Sequence, residues 1–142
     1  MDSAIAERIE IAARAIGTVM NSESEVAAVF LFGSFMTDRF NDESDVDIGI
    51  LFERNPIKIF DDRYMDLKSK LEDAVGGEVD IVVLNSSSPI ICMQVLRYGK
   101  KIFERGSRTA SEFFARTISA YADLKRVRLP IELRVLESRI YG

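Results

Sequence analysis

Apolar residues recur at Ile5, Ile9, Ala12, Ala13, Ile16 and Met20. This is the roughly 3.6-residue spacing that gives a helix one apolar stripe, and it predicts a helix from Ser3 to Met20 with Asp2 or Ser3 as candidate N-cap. Asn21 to Glu25 is polar and turn-like, and Val26 to Phe32 then runs unbroken and apolar for the length of a buried strand, ended by Gly33. Phe35 to Ser44 mixes polar and acidic residues and reads as a loop or short helical turn, leading into a second apolar run, Val46 to Phe52. Asn55-Pro56 marks a turn. Phe60, Tyr64, Leu67, Leu71 and Ala74 next line one face of a second helix, which Gly76-Gly77 stops. Val79 to Leu84 forms a third strand and Asn85 to Ser88 a polar loop. Pro89 suits the first turn of a helix running to about Arg97 and closed by Gly99. Lys101 to Glu104 fits a short edge strand, its lysines marking exposure. From Ser107 onward the pattern is helical again, with Phe114, Ile118, Tyr121, Leu124 and Val127 apolar. Pro130 is expected to kink or break that helix, and Ile131 to Ile140 to continue as a shorter one.

Strands and helices that succeed one another in this way place the chain in the α/β (α+β) class. Its 142 residues suffice to bury about two-thirds of the unfolded surface, with no comfortable room for a second domain. The 47% hydrophobic and 30% charged residues make a globular balance. Apolar runs stop at strand length, well short of the ~20 residues that span a bilayer. Asp2, Glu7 and Arg8 do not form a signal-peptide pattern, so the cytoplasm is the expected location.

Composition removes several chemistries. The chain has no histidine and one cysteine, Cys92, which excludes internal disulfides, Cys/His zinc sites and a Ser-His-Asp triad. Cys92 lies in the apolar run Ile90-Ile91-Cys92-Met93 and reads as a packed core residue. A net charge of −4 argues against nucleic acid as the substrate. No Gly-x-x-x-x-Gly-Lys-Ser/Thr loop is present, which argues against a P-loop NTPase. Carboxylates, hydroxyls, Lys, Arg and backbone remain.

The candidate chemistry lies in Gly33 to Asp47. Side chains alternate along a strand, so Asp45 and Asp47 point to one side and Val46, Ile48 and Ile50 to the other. Two carboxylates on one face repel, so a divalent cation or another positive charge is expected to neutralise them; Mg²⁺ favours oxygen ligands and is often held by one or two carboxylates plus substrate phosphates. Asp38, Asp42 and Glu43 read as a solvated acidic loop. Asp80 interrupts an otherwise apolar strand, where an unpaired buried carboxylate would cost several kcal/mol.

Gly33-Ser34, ten intervening residues, then Asp45-Val46-Asp47 resembles the signature of the polymerase-beta-type nucleotidyltransferase superfamily, and the short chain resembles its minimal branch, whose members often serve as antitoxins beside HEPN-domain toxins. The resemblance covers roughly Val26 to Glu104. It implies a nucleotidyltransferase fold with a small mixed sheet of three to four strands flanked by helices. It also implies a single domain over residues 1–142, with its core at about 26–104 and a helical segment at about 107–140. Carried over by position, Asp45 and Asp47 hold two Mg²⁺ ions, Asp80 completes the catalytic carboxylates, and Gly33 and Ser34 receive the phosphates of ATP. The expected reaction moves AMP to a hydroxyl, a tyrosine of a cognate HEPN toxin above all, with that toxin as partner in a hetero-oligomer or with the chain as a homo-oligomer. A non-catalytic antitoxin that masks its toxin, and an enzyme acting on a small molecule such as an aminoglycoside, are the competing expectations. The basic residues Arg108, Arg116, Lys125, Arg126 and Arg128 fit either a solvated face or a docking one.

Overall fold

Val26–Phe32 (β1) and Val46–Phe52 (β2) pair antiparallel in the computed structural model, with Phe32 opposite Asp47 and Val29 opposite Ile50. The structure describes residues 3–54 and 62–141, and of residues 128–141 the backbone alone. Val79–Val83 (β3) pairs in parallel with β2, and Lys100–Glu104 (β4) lies antiparallel to β1, giving a mixed sheet in the order β3-β2-β1-β4. β1 and β2 are central and covered on both faces, which is why both read as continuous apolar runs. β4 is an edge strand with both lysines exposed.

Helices cover the two faces. On one side, Ile9, Ile16 and Met20 of Ser3–Met20 (α1) and Leu67 and Leu71 of Asp62–Val75 (α2) pack on Val29, Leu31, Ile48, Ile50 and Ile81. On the other, Cys92 and Val95 of Pro89–Tyr98 (α3) and Ala110 of Arg108–Tyr141 (α4) pack on Ala28, Phe30 and Leu51. Cys92 is a core residue, as its sequence neighbours suggested: its surface is 2% exposed and burial pushes its thiol pKa up. The Ser88 side chain caps α3 by accepting a hydrogen bond from the Ile91 amide at 3.3 Å, with Pro89 in the first turn.

Three details differ from the sequence expectations. β3 ends at Val83, one residue early, and Leu84–Ser86 forms a 3-10 turn. There the Asn85 side-chain amide donates to the Phe52 carbonyl and accepts from the Phe52 N–H, both at 2.9 Å, in place of a further strand pair. α4 is helical from Arg108 to Tyr141 with Pro130 inside it, so the expected break is not found. Proline's φ suits a helix, and one absent N–H is a local loss in 34 residues. The apolar spacing on α4 marks its core face only in part, because Phe114 packs on the core while Ile118 and Val127 are 54% and 61% exposed. Ala110, Phe114 and Thr117, spaced i, i+4, i+7, face inward, and the Phe114 ring meets Phe30 edge-on at 5.3 Å. Asp2, Asn55-Pro56 and Phe60 lie outside the described residues.

Ile50, wholly buried in the central strand, should cost about 2–5 kcal/mol on truncation to Ala. Ile118→Ala should stay within about 0.5 kcal/mol. Urea unfolding of the two variants checks the assignment of faces, and equal losses would contradict it.

Candidate active site

β2 carries the acidic pair, and its two neighbours complete the surroundings. Parallel pairing with β3 sets Asp47 beside Asp80, on strands about 4.8 Å apart. Antiparallel pairing with β1 sets Asp47 opposite Phe32, so the chain leaves β1 at Gly33 directly over Asp47. Gly33 opens the 3-10 turn Gly33–Met36 with φ +72°. A Cβ built there would overlap the Asp47 carboxylate oxygen and lie 3.0 Å from its carboxyl carbon. Glycine is therefore required twice at this position, by conformation and by space. Behind it, Thr37 donates to the Ser34 carbonyl from its N–H at 2.9 Å and from its hydroxyl at 2.8 Å, closing the turn.

The structure thus brings Gly33, Ser34, Asp45, Asp47 and Asp80 to one corner of the sheet. Asp45 and Asp80 are exposed and Asp47 is half-buried. The premise that Asp80 is a buried charge is corrected, since its side chain faces solvent at the start of β3 and carries no burial cost. Its position beside Asp47 is what sets it apart. Asp38, Asp42 and Glu43 are exposed on the loop, as expected.

Electrostatics point the same way. The Asp47 carboxyl is pushed above its ordinary pKa by burial first, then by the charge of Asp80, then by that of Asp45. Three mutually repelling carboxylates form an oxygen donor set short of positive charge, which is what a hard divalent cation suits. The residues present therefore fit such an ion. As they stand, no three acidic or cysteine side chains among the described residues converge on a common centre. A cleft of about 970 Å³ between α1, the loop before β2 and the end of α2 is lined by Asp45.

Arg8 is a member of this neighbourhood that sequence reasoning passed over. From α1 its guanidinium donates to the carbonyls of Phe35 and, at 2.9 Å, Thr37. It also lies 4.9 Å and 4.8 Å from the ring centroids of Phe35 and Phe40. Its signal was a cation on the core-facing stripe, three residues after Ile5 and beside Ile9.

A Gly-Ser turn over paired carboxylates, on a small mixed sheet between helices, defines a nucleotidyltransferase. The chain belongs to the family described as Polymerase beta, Nucleotidyltransferase, whose sequence profile matches residues 14–108. It is 35% identical over 104 residues to the protein adenylyltransferase MntA of Shewanella oneidensis, spanning 72% of this chain and 71% of that one. Among solved structures it resembles a toxin-antitoxin assembly with AMP-PNP, with a TM-score of 0.68 at 28% identity over 87% of this chain and 98% of the other. It is also similar to the complex of tri-AMPylated Shewanella oneidensis HEPN toxin with its MNT antitoxin, with a TM-score of 0.65 at 29% identity over 89% and 98% of the two chains.

Because the folded state raises the Asp47 pKa, it binds that proton more readily than the unfolded chain. The stabilisation is present below the unfolded value and is lost as pH rises through the folded one. Asp47→Asn should therefore raise the unfolding temperature at neutral pH without divalent ions, flatten its dependence on pH, and remove most stabilisation by added Mg²⁺. Thermal unfolding from about pH 3 to about pH 8, with and without MgCl₂, tests this, and a lower unfolding temperature for the variant at neutral pH would refute it.

Proposed function

We propose that this nucleotidyltransferase moves AMP from ATP to a tyrosine hydroxyl of a HEPN-domain toxin and acts as that toxin's antitoxin. The carrying observation is the double register of β2, which sets Asp47 beside Asp80 and under Gly33. The substrate class is supported by the likeness to a protein adenylyltransferase and to complexes that hold AMP-PNP or an AMPylated HEPN toxin. Cytoplasmic placement fits this reading, and no helix among the described residues is long and apolar enough to cross a membrane.

The acceptor oxygen attacks the α-phosphorus of ATP, an O–P bond forms, the bond to the β-phosphate bridging oxygen breaks, and pyrophosphate leaves. Two Mg²⁺ ions, when bound, would supply positive charge to the phosphate oxygens and to the attacking and leaving groups. Asp45 and Asp47 would hold them, with Asp80 completing the donor set. Asp80, exposed beside Asp47, would also accept the acceptor hydroxyl's proton. Gly33 lets the backbone come close to the triphosphate, and Ser34 offers its hydroxyl and N–H to the β- or γ-phosphate.

A second reading, an antitoxin that masks its toxin by binding, is supported by the likeness to a solved complex of an MNT antitoxin with a HEPN toxin. Intact mass of the HEPN partner after incubation with this protein, ATP and Mg²⁺ separates the two. Whole AMP units should appear, and Asp45→Asn or Asp47→Asn should slow their addition by at least about a hundredfold, the scale of losing one preorganised electrostatic group. Toxin neutralisation that survives either substitution would sink the catalytic reading and leave masking.

A further inference from the structure

We propose that Arg8 is a positioning residue for the nucleotide, holding the Gly33–Ser34 turn at its working distance from Asp47. The proposal rests on the nucleotidyl-transfer reading above. The turn has to stay close to Asp47 without touching it, since even a Cβ on Gly33 leaves no room. Strand pairing fixes the chain as far as Phe32. Beyond Phe32 the turn is held by Phe35, buried in the same core as α1, and by two sets of hydrogen bonds to its backbone carbonyls. Thr37 binds the Ser34 carbonyl from within the loop. Arg8 reaches across from α1 to the carbonyls of Phe35 and Thr37, linking the turn to a helix that is anchored in the core by Ile9, Ile16 and Met20.

Arg8 is poorly suited to serve stability alone. Its Nε is buried without a hydrogen-bond partner, a cost that an apolar residue on the same stripe would avoid. None of its ion pairs or hydrogen bonds among the described residues is to a carboxylate. Its charge is not among the influences on Asp47, all of which raise that pKa. Its action on the site is therefore mechanical. The planar guanidinium donates to two carbonyls at once while lying against the Phe35 and Phe40 rings, themselves edge-on at 5.0 Å, a geometry that a lysine reproduces only in part.

The test is steady-state AMP transfer, with equilibrium binding of Mg²⁺ and AMP-PNP, in Arg8→Met, Arg8→Lys and Thr37→Val. Arg8→Met should raise the KM for ATP and weaken AMP-PNP binding about tenfold, the scale of a lost charged hydrogen bond, with kcat changed less than about threefold. Arg8→Lys should recover part of that loss. Thr37→Val, at the exposed end of the same turn, should shift KM in the same direction without touching the core. A folded Arg8→Met protein with wild-type KM and AMP-PNP affinity, or one that loses only kcat, would overturn the proposal. If Arg8→Met does not fold, wild-type KM in both Arg8→Lys and Thr37→Val overturns it. A wild-type protein that neither binds AMP-PNP nor transfers AMP would instead remove the nucleotidyl-transfer reading on which the proposal stands.

Discussion

The register of β2 is the constraint on which the rest depends. This strand is hydrogen-bonded on both edges, antiparallel to β1 and parallel to β3, and both faces are sealed by separate cores. A slip of one residue on either side would turn Ile48 and Ile50 out of one core and drive Asp47 into it, at a cost of several kcal/mol. The same register that buries those isoleucines is the one that places Asp47 next to Asp80 and beneath Gly33. Core packing and site geometry are thus two consequences of one set of backbone pairings.

Stability and chemistry pull in opposite directions at this corner. Burial and two like charges raise the Asp47 pKa. The sheet tolerates the repulsion because Asp45 and Asp80 remain in solvent, where high dielectric weakens it. A site that is electrostatically incomplete is preorganised for cations and for the phosphates they accompany. The loop above it answers a different demand, closeness without contact, through a glycine in a left-handed conformation and carbonyls tied back by Thr37 and Arg8.

Periodicity placed α1, β1, β2, α2, α3 and β4 close to their observed bounds, since each carries a strong apolar pattern between breakers such as Gly33, Gly76 and Gly99. It failed where packing outranked pattern. On α4 the inward residues are Ala110, Phe114 and Thr117, of which only Phe114 belongs to the large apolar pattern. α4 runs through Pro130 over 34 residues, although a proline inside a helix removes one hydrogen bond and crowds the carbonyl one turn back. β3 ends at Val83 because the Asn85 side chain takes the partner that another strand residue would have used.

The sequence by itself determined the local geometry and the chemistry available: strand and helix positions, Asp45 and Asp47 on one strand face, a glycine beside them, and no histidine or cysteine able to offer another mechanism. Local alternation and composition suffice for that. Only the tertiary structure decided that Asp80 faces Asp47 across the β2–β3 pair, that a Cβ on Gly33 would strike the Asp47 carboxylate, and that Arg8 braces the turn from a helix 27 residues away from Phe35. Those relations join residues far apart in the chain, and their distances are set by strand pairing and helix packing, which no short stretch of sequence encodes.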